Sequence, residues 1–558
     1  MKKNLSFAFA VMSFAALTMF SSCQKDEAVV TRFEATIANI SGNSKTVLDG
    51  LNLYWVPGDR IKVYDASKNI GVYESTDPAK TSPFDLVYGN VVENSTYRAI
   101  YPASAGDNAG HLVLPLDQRT TDGSLTEFPM YAESRTAEPS LEFDNLCGVI
   151  CFKLQEPGVS VSSIEVTTDK QLTGTFSISN NDGLSLTGNS GSNSVTLTCS
   201  TPQSISSQKS FYMYVPANEF KFMRIRIYSN DGHVCTKTLN AGTTFIVERG
   251  KITPLTLNSN NLDFSSVAGE LPGLFSIGKK DNGEKVKVRF SSGNMQYTTV
   301  GTHAVADGTA KGTWRFAPNQ YDYIGKDNEN ISETYTGWID LFGWGTSGWN
   351  SGAVSYSPYD YSESGTGWNF YPGGSTSSNL TGDYAYADWA VYNAISNGGN
   401  APRMWRNLTK EEWLYLVFTR DPDVKLRGTG NVNGVGGMIL LPDDWNMPEN
   451  CSFSPGFSNS TADWSHNKYT LEEWGKMEAA GAVFLPAAGY RSQQSGNPFC
   501  MWIQQNGYYW STTRHNNNQA VDYLYYSWKD IGYPNLNQMN LCHGLSVRPV
   551  RVITSSQQ

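Results

Sequence analysis

The sequence is short of charge and of histidine, and it has no long apolar run beyond its first 20 residues. Charged residues make up 17% of the 558, and no block of Lys or Arg follows Lys2 and Lys3. With a net charge of −10 the chain lacks the basic surface that displaces counterions from a phosphate backbone, so nucleic acid is not an expected partner. The six histidines (111, 233, 303, 466, 515 and 543) never fall in an HExxH or HxH spacing, and CxxC is absent. No metal ligands and no cofactor are therefore expected. Nor does a Gly-rich phosphate loop precede a helix, or a Ser occupy a nucleophile elbow. The sequence reads as that of a binding protein with no catalytic residues.

What it has instead is aromatic side chains and glycine. Aromatics reach 13%, with 51 Gly, 30 Tyr and 15 Trp. That composition is too aromatic for a disordered chain and too rich in glycine for a helical one. Its length accommodates roughly three to four domains of about 100–200 residues.

The N-terminus points to a compartment. Lys2 and Lys3 precede an apolar run over residues 5–20, too short to span a bilayer but suited to a signal peptide. Phe20-Ser21-Ser22-Cys23 follows and resembles a lipoprotein signal, although Phe20 stands where that pattern usually has Leu. The resemblance implies a signal peptide over 1–22, a Cys23 thiol alkylated by diacylglycerol, and a lipidated tether over 23–31. A stable anchor needs two or more acyl chains, palmitate among them. Gln24-Lys25-Asp26-Glu27 resembles a tag that sends lipoproteins to the outer face of the outer membrane. An ordinary cleaved signal and a tether facing the periplasm are the alternatives.

Besides Cys23 there are seven cysteines. Cys147 and Cys151 share an apolar run; in a strand they stand about 13 Å apart, whereas a disulfide needs Cα atoms within about 7 Å. Both read as small buried hydrophobes. Cys451, Cys500 and Cys542 leave one pairing open.

Over residues 31–257 the periodicity is two. Met223, Ile225 and Ile227 alternate with Arg224, Arg226 and Tyr228, and a Ser-Asn-Asp-Gly turn leads into a second strand at 233–239, which predicts a hairpin with one buried face. A second hairpin is expected at 174–179 and 184–187. The order of Leu53-Tyr54-Trp55, Gly58–Val63 (GDRIKV), YRAIYP at 97–102, Phe128-Pro129-Met130, LEFDNLCGVICFKL at 141–154 and FIVERGKITPL at 245–255 resembles the fimbrillin-like family. That resemblance implies two transthyretin-like β-sandwiches, over 32–157 and 158–257, as in lipid-anchored pilins and pilus-associated adhesins. It also implies polymerisation by strand donation after an Arg-specific cleavage, for which Arg32 is the candidate. Residues 258–273 are polar and end in Pro-Gly, and read as an inter-domain linker.

From residue 274 the texture changes. Val286, Val288 and Phe290 alternate as an opening strand, and 385–396 reads as a helix with Asp383 as its N-cap. Thr409 and Thr470 each stand three residues before a Glu, at 412 and 473, the spacing of a capping box. These glutamates thus have a structural task and are discounted as catalytic acids. WRNLT at 405–409, VFLPAAGY at 483–490, GYYWS at 507–511 and GLSVRPVR at 544–551 resemble the formylglycine-generating-enzyme-like branch of the C-type-lectin-like fold. The resemblance implies one such domain over 274–555, with its first and last strands paired. Neither Cys500 in NPFCMW nor Cys542 in NLCHGL matches the family's copper-binding catalytic cysteines, so the activity is not expected to accompany the fold. The Glu-Pro-Asn and Gln-Pro-Asp signatures of calcium-dependent lectins are absent as well. The expected fold class is mostly β, with an α+β C-terminal domain.

Two stretches, 337–374 and 506–540, combine Tyr and Trp with Gly, Ser and Asn, the residue types of paratopes. Trp344, Trp413, Trp474 and Trp510 are assigned to an irregular core. Ligand contacts are expected from Tyr508, Tyr509, Arg514, His515, Asn516, Asn518, Tyr523, Tyr525, Trp528, Tyr533, Asn535, Asn537 and Asn540. The Asn-dense segment before GLSVRPVR also resembles the variable region of retroelement-diversified receptor-binding proteins. The expected partners are a glycan or a host or neighbouring cell-surface protein, the outer membrane through the anchor, and other pilus subunits if the chain is a pilus or tip subunit.

Overall fold

The computed structural model describes residues 28–553 except 38–52, 94, 109, 126, 135, 181–184, 240–242, 350–377, 458–463, 495–496, 516–519 and 533–537. The signal peptide and Cys23 lie outside the described residues. Strand accounts for 50% of the described residues and helix for 8%, so the fold is mostly β. No helix among the described residues is long and apolar enough to cross a membrane.

The chain forms two compact units. In the first, seven strands close on themselves in the order Arg32–Ile37, Ser140–Asn145, Met130–Ser134, Tyr97–Tyr101, Arg60–Asp65, Ile70–Ser75 and Thr81–Gly89. Arg32–Ile37 completes the ring, pairing parallel with Ser140–Asn145 and antiparallel with Thr81–Gly89. Trp55 fills the centre, edge-on to Phe84, Tyr101 and Phe143 at 4.9–5.3 Å, and its indole N–H donates to the Ala35 carbonyl at 2.9 Å. Closure leaves no edge, which removes the unpaired backbone groups an open sheet exposes. Arg32, the candidate cleavage site, sits in this ladder opposite Asp85 and its guanidinium forms an ion pair with that carboxylate.

Residues 110–129 leave the first unit and contribute strands to the second. There Asp117–Thr120 pairs parallel with Ser194–Ser204 at the edge of a six-stranded sheet, whose other strands are Ser160–Thr168, Met223–Ser229, His233–Leu239 and Ser266–Val267. Ile164, Ile225 and Ile227 from this sheet share a core with Ile150, Phe152, Phe211 and Met213 from a three-stranded sheet (Lys209–Pro216, Cys147–Gln155, Ile252–Asn258). Both expected hairpins form, with Ile225 opposite Lys237 and Ile178 opposite Leu186.

Residues 258–273 do not hang free between domains. Ser266–Val267 pairs with His233–Leu239, and Leu271 is buried with Phe275 and Phe290. The amphipathic reading of Met223–Ser229 also needs correction. All seven residues are buried, because the face carrying Arg224, Arg226 and Tyr228 is covered by residues of the C-terminal part.

That C-terminal part opens one strand earlier than expected, with Phe275–Lys279. Lys285–Phe290 lies between it and the last strand, Val550–Ile553, antiparallel to both, so the last strand neighbours the second and not the first. The capping boxes form as expected: Thr409 with Glu412 begins Lys410–Leu414, and Thr470 with Glu473 begins Leu471–Ala479. Glu412 is further held by a two-pronged pairing with Arg406, both contacts at 2.7 Å. The helix expected over 385–396 is a single turn, Trp389–Tyr392, capped by Asp388 rather than Asp383. Asp388 wins because its other carboxylate oxygen also accepts the Asn407 N–H at 2.7 Å. Trp344, Trp413, Trp474 and Trp510 are fully buried. The seven cysteines beyond Cys23 are all free thiols.

Candidate functional site: an aromatic face on the C-terminal strands

Asn506–Arg514 and Ala520–Ser527 pair antiparallel, with Tyr508 opposite Tyr525 and Trp510 opposite Tyr523. A strand sends alternate residues to opposite faces. One face carries Tyr508, Trp510, Tyr523 and Tyr525; the other carries Tyr509, Leu524 and Tyr526. Both faces are covered, so several residues expected at a ligand surface belong to the core. Tyr509 is fully buried and donates its hydroxyl to the Pro486 carbonyl at 3.0 Å while accepting from Asn294. Tyr508 and Tyr523 are also buried. Arg514 is buried with its guanidinium over the Trp344 ring, and burial lowers its pKa. These four hold the sheet in place and do not present themselves to a ligand.

Other residues are reachable. Tyr525 is half-buried, and Trp528 is half-buried with the Lys529 ammonium over its ring at 5.8 Å. His515 is half-buried, and its Nδ1 stands 3.1 Å from Asp522, whose carboxylate also pairs with Lys410 at 3.2 Å. Asn540 is half-buried in a short strand that pairs with Ala520–Ser527. Asn516, Asn518, Tyr533, Asn535 and Asn537 lie outside the described residues.

The half-buried rings gather around Tyr508. Its centroid is 5.0 Å from Tyr490, 5.4 Å from Tyr525 and 5.8 Å from Tyr523, while His543 packs on Tyr490 at 5.6 Å. Asn506 donates to the Tyr508 hydroxyl at 3.0 Å. Tyr490 and His543 were not singled out by the sequence reading. They come from a hairpin strand (Tyr490–Gln494) and a turn that adjoin this sheet only in three dimensions. A bridge between Arg491 and Gly544 joins those two segments. The tyrosine pKa values here are all raised, chiefly by burial, so the rings stay neutral hydrogen-bonding platforms at physiological pH. Such a surface can stack on apolar sugar or side-chain faces and hydrogen-bond at its edges.

The Cys500 thiol is pushed up to about 12, first by burial and then by Glu329, which disfavours the reactive thiolate. Among the described residues no group of three or more His, Cys, Asp or Glu is placed to hold a metal ion.

No family model matches the sequence, and no curated protein does either. Solved structures resemble part of it. A candidate cell adhesion protein from Bacteroides ovatus is 14% identical over 41% of this chain and 92% of its own, with a TM-score of 0.29. A fimbrial assembly protein from Parabacteroides distasonis is 11% identical over 48% of this chain and 97% of its own, with a TM-score of 0.23. The tip fimbrial protein Mfa3 from Porphyromonas gingivalis, truncated at its C-terminus, is 10% identical over 41% and 94%, with a TM-score of 0.22.

Proposed function

We propose that this chain is a non-enzymatic surface adhesin, anchored to the outer membrane through acylated Cys23. Its C-terminal region binds a glycan or a cell-surface protein through the half-buried aromatic face. The observation that carries this reading is the ring cluster of Tyr490, Tyr525 and His543 around Tyr508. Rigid rings give contact area at low entropic cost, and Asn506 and Asn540 at the same sheet add adaptable hydrogen bonds.

Two measurements test it. Labelled palmitate should enter the protein and be lost in Cys23→Ser, and protease added to intact cells should remove the C-terminal region. Labelling of Cys23→Ser, or protection of that region on intact cells against cleavage in lysates, would refute the anchored, outward-facing arrangement. Incorporation of the chain into isolated pili, with no binding activity on arrays, would instead make it a pilus or tip subunit.

A further inference from the structure

A cleft of about 530 Å³ lies within the second unit, between the six-stranded sheet and the long hairpin Met295–Val305/Gly308–Phe316. It is separate from the aromatic face: Tyr490, Tyr508, Tyr525 and His543 do not line it. Its volume lies in the range of small-molecule sites.

Two features make this cleft a built one. Its walls are held by buried pairing, since Arg226 binds Glu165 at 3.0 Å and the Pro318 carbonyl at 2.7 Å, joining the sheet to the C-terminal part. At its floor the turns at Gly232 and Gly399 approach so closely that a Cβ on Gly232 would stand 3.2 Å from the Gly399 backbone. Gly232 also has φ +87°, a backbone region that disfavours any side chain. The cleft is therefore set by backbone contact at these turns and by buried, paired side chains in its walls.

Its chemistry is mixed and nearly neutral. Trp338 lies on the wall with the Arg315 guanidinium stacked 3.6 Å from its ring centroid. Arg315 is fixed in turn by Gln296 at 2.9 Å and by Asp117 at 3.9 Å. Around this pair the side chains of Ser163, Thr196, Thr198, Asn230, Thr336 and Asn400 line the cleft without a hydrogen-bond partner among the described residues. Hydroxyls and amides both donate and accept. A ligand of adjacent hydroxyls on an apolar ring answers that pattern. A phosphate or polyanion does not, because Asp117 and Glu165 offset the cations here; a lipid does not, because hydroxyl and amide side chains interrupt the apolar wall throughout.

We infer that this cleft is a second binding site, which takes a short neutral oligosaccharide with one sugar ring against the Trp338–Arg315 pair. The site is tested by calorimetric titration of the full chain in detergent with cellotriose, mannotriose, triacetylchitotriose and, as an acidic comparison, sialyllactose. At least one neutral trisaccharide should bind, and Thr198→Arg, which fills the cleft from an accessible strand position, should weaken it at least tenfold without lowering the melting temperature. Trp338→Ala should weaken it similarly, whereas Tyr525→Ala on the aromatic face should leave it unchanged. The inference is overturned if no neutral probe binds, if Thr198→Arg binds as well as the parent, or if sialyllactose is preferred. Loss in Tyr525→Ala alone would assign saccharide binding to the aromatic face and none to the cleft.

Discussion

Glu478, on the helix Leu471–Ala479, accepts hydrogen bonds from both Arg224 and Arg226 of the strand Met223–Ser229, at 2.7 and 3.1 Å. Gln320 donates to its second carboxylate oxygen at 3.0 Å and accepts from Arg548 at 2.9 Å. All of these groups are buried. The second β region and the C-terminal part are thus joined by a desolvated charge network in one compact unit.

Removing one partner of a buried pair leaves the other charge stranded, at a cost of about 3–5 kcal/mol. Glu478→Ala should therefore lower the unfolding free energy by about that much, read from denaturant midpoints of the full chain. A loss below about 1 kcal/mol, the scale of an exposed pair, would show that water reaches this network.

Stability should pass through a maximum in mildly acidic solution. Burial pushes Asp340 and Asp388 each up to about 6. An unfolded Asp titrates near 3.9, so between roughly pH 4 and 6 the folded state binds protons that the unfolded chain has released, and stability falls as pH rises through that window. Glu478 has the opposite sign. Burial raises its pKa, but Arg224 and Arg226 outweigh this and hold it below the ordinary value. Its contribution is present above about pH 4.3 and is lost as pH falls further. Melting temperatures measured from pH 3 to 8 should peak near pH 4 and fall between pH 4 and 6, and a steady rise up to pH 7.5 would contradict these assignments.

The network explains what could be read from sequence and what could not. Capping boxes are local: Thr470 and Glu473 stand three residues apart, and the spacing alone predicts the hydrogen bonds that form. Period-two alternation likewise revealed the hairpin of Met223–Ser229 and His233–Leu239. It also marked Arg224 and Arg226 as solvated, because their partner Glu478 lies more than 250 positions away. The aromatic strands show the same limit. Alternation separates Tyr508 from Tyr509, but only the packing of two cores reveals that both faces are covered. Tyr490 and His543 reach the aromatic face through tertiary contacts alone.

The capping glutamates offer a control. Thr470→Ala should destabilise the protein by about 1 kcal/mol while leaving every binding activity intact. A binding defect of tenfold or more in this variant, with the fold intact, would mean that the Leu471–Ala479 helix end takes part in recognition.

Tyr509 and Tyr525 should separate stability from binding. Tyr509→Phe leaves the Asn294 amide without its buried acceptor, while the Pro486 carbonyl keeps only the Ala488 N–H, a loss of about 1–3 kcal/mol with unchanged affinity. Tyr525→Ala, at a half-buried position, should do the reverse. Equal binding losses in the two variants would place recognition elsewhere.

The central claim is recognition through the aromatic face, and the most direct measurement of it is retention of the full chain on arrays of surface glycans and cell-surface proteins, compared with a Tyr490→Ala/Tyr525→Ala variant of equal thermal stability. The parent should be retained on a defined subset of spots and the variant should lose at least nine-tenths of that signal. Identical retention of parent and variant, or no retention of either, would contradict it.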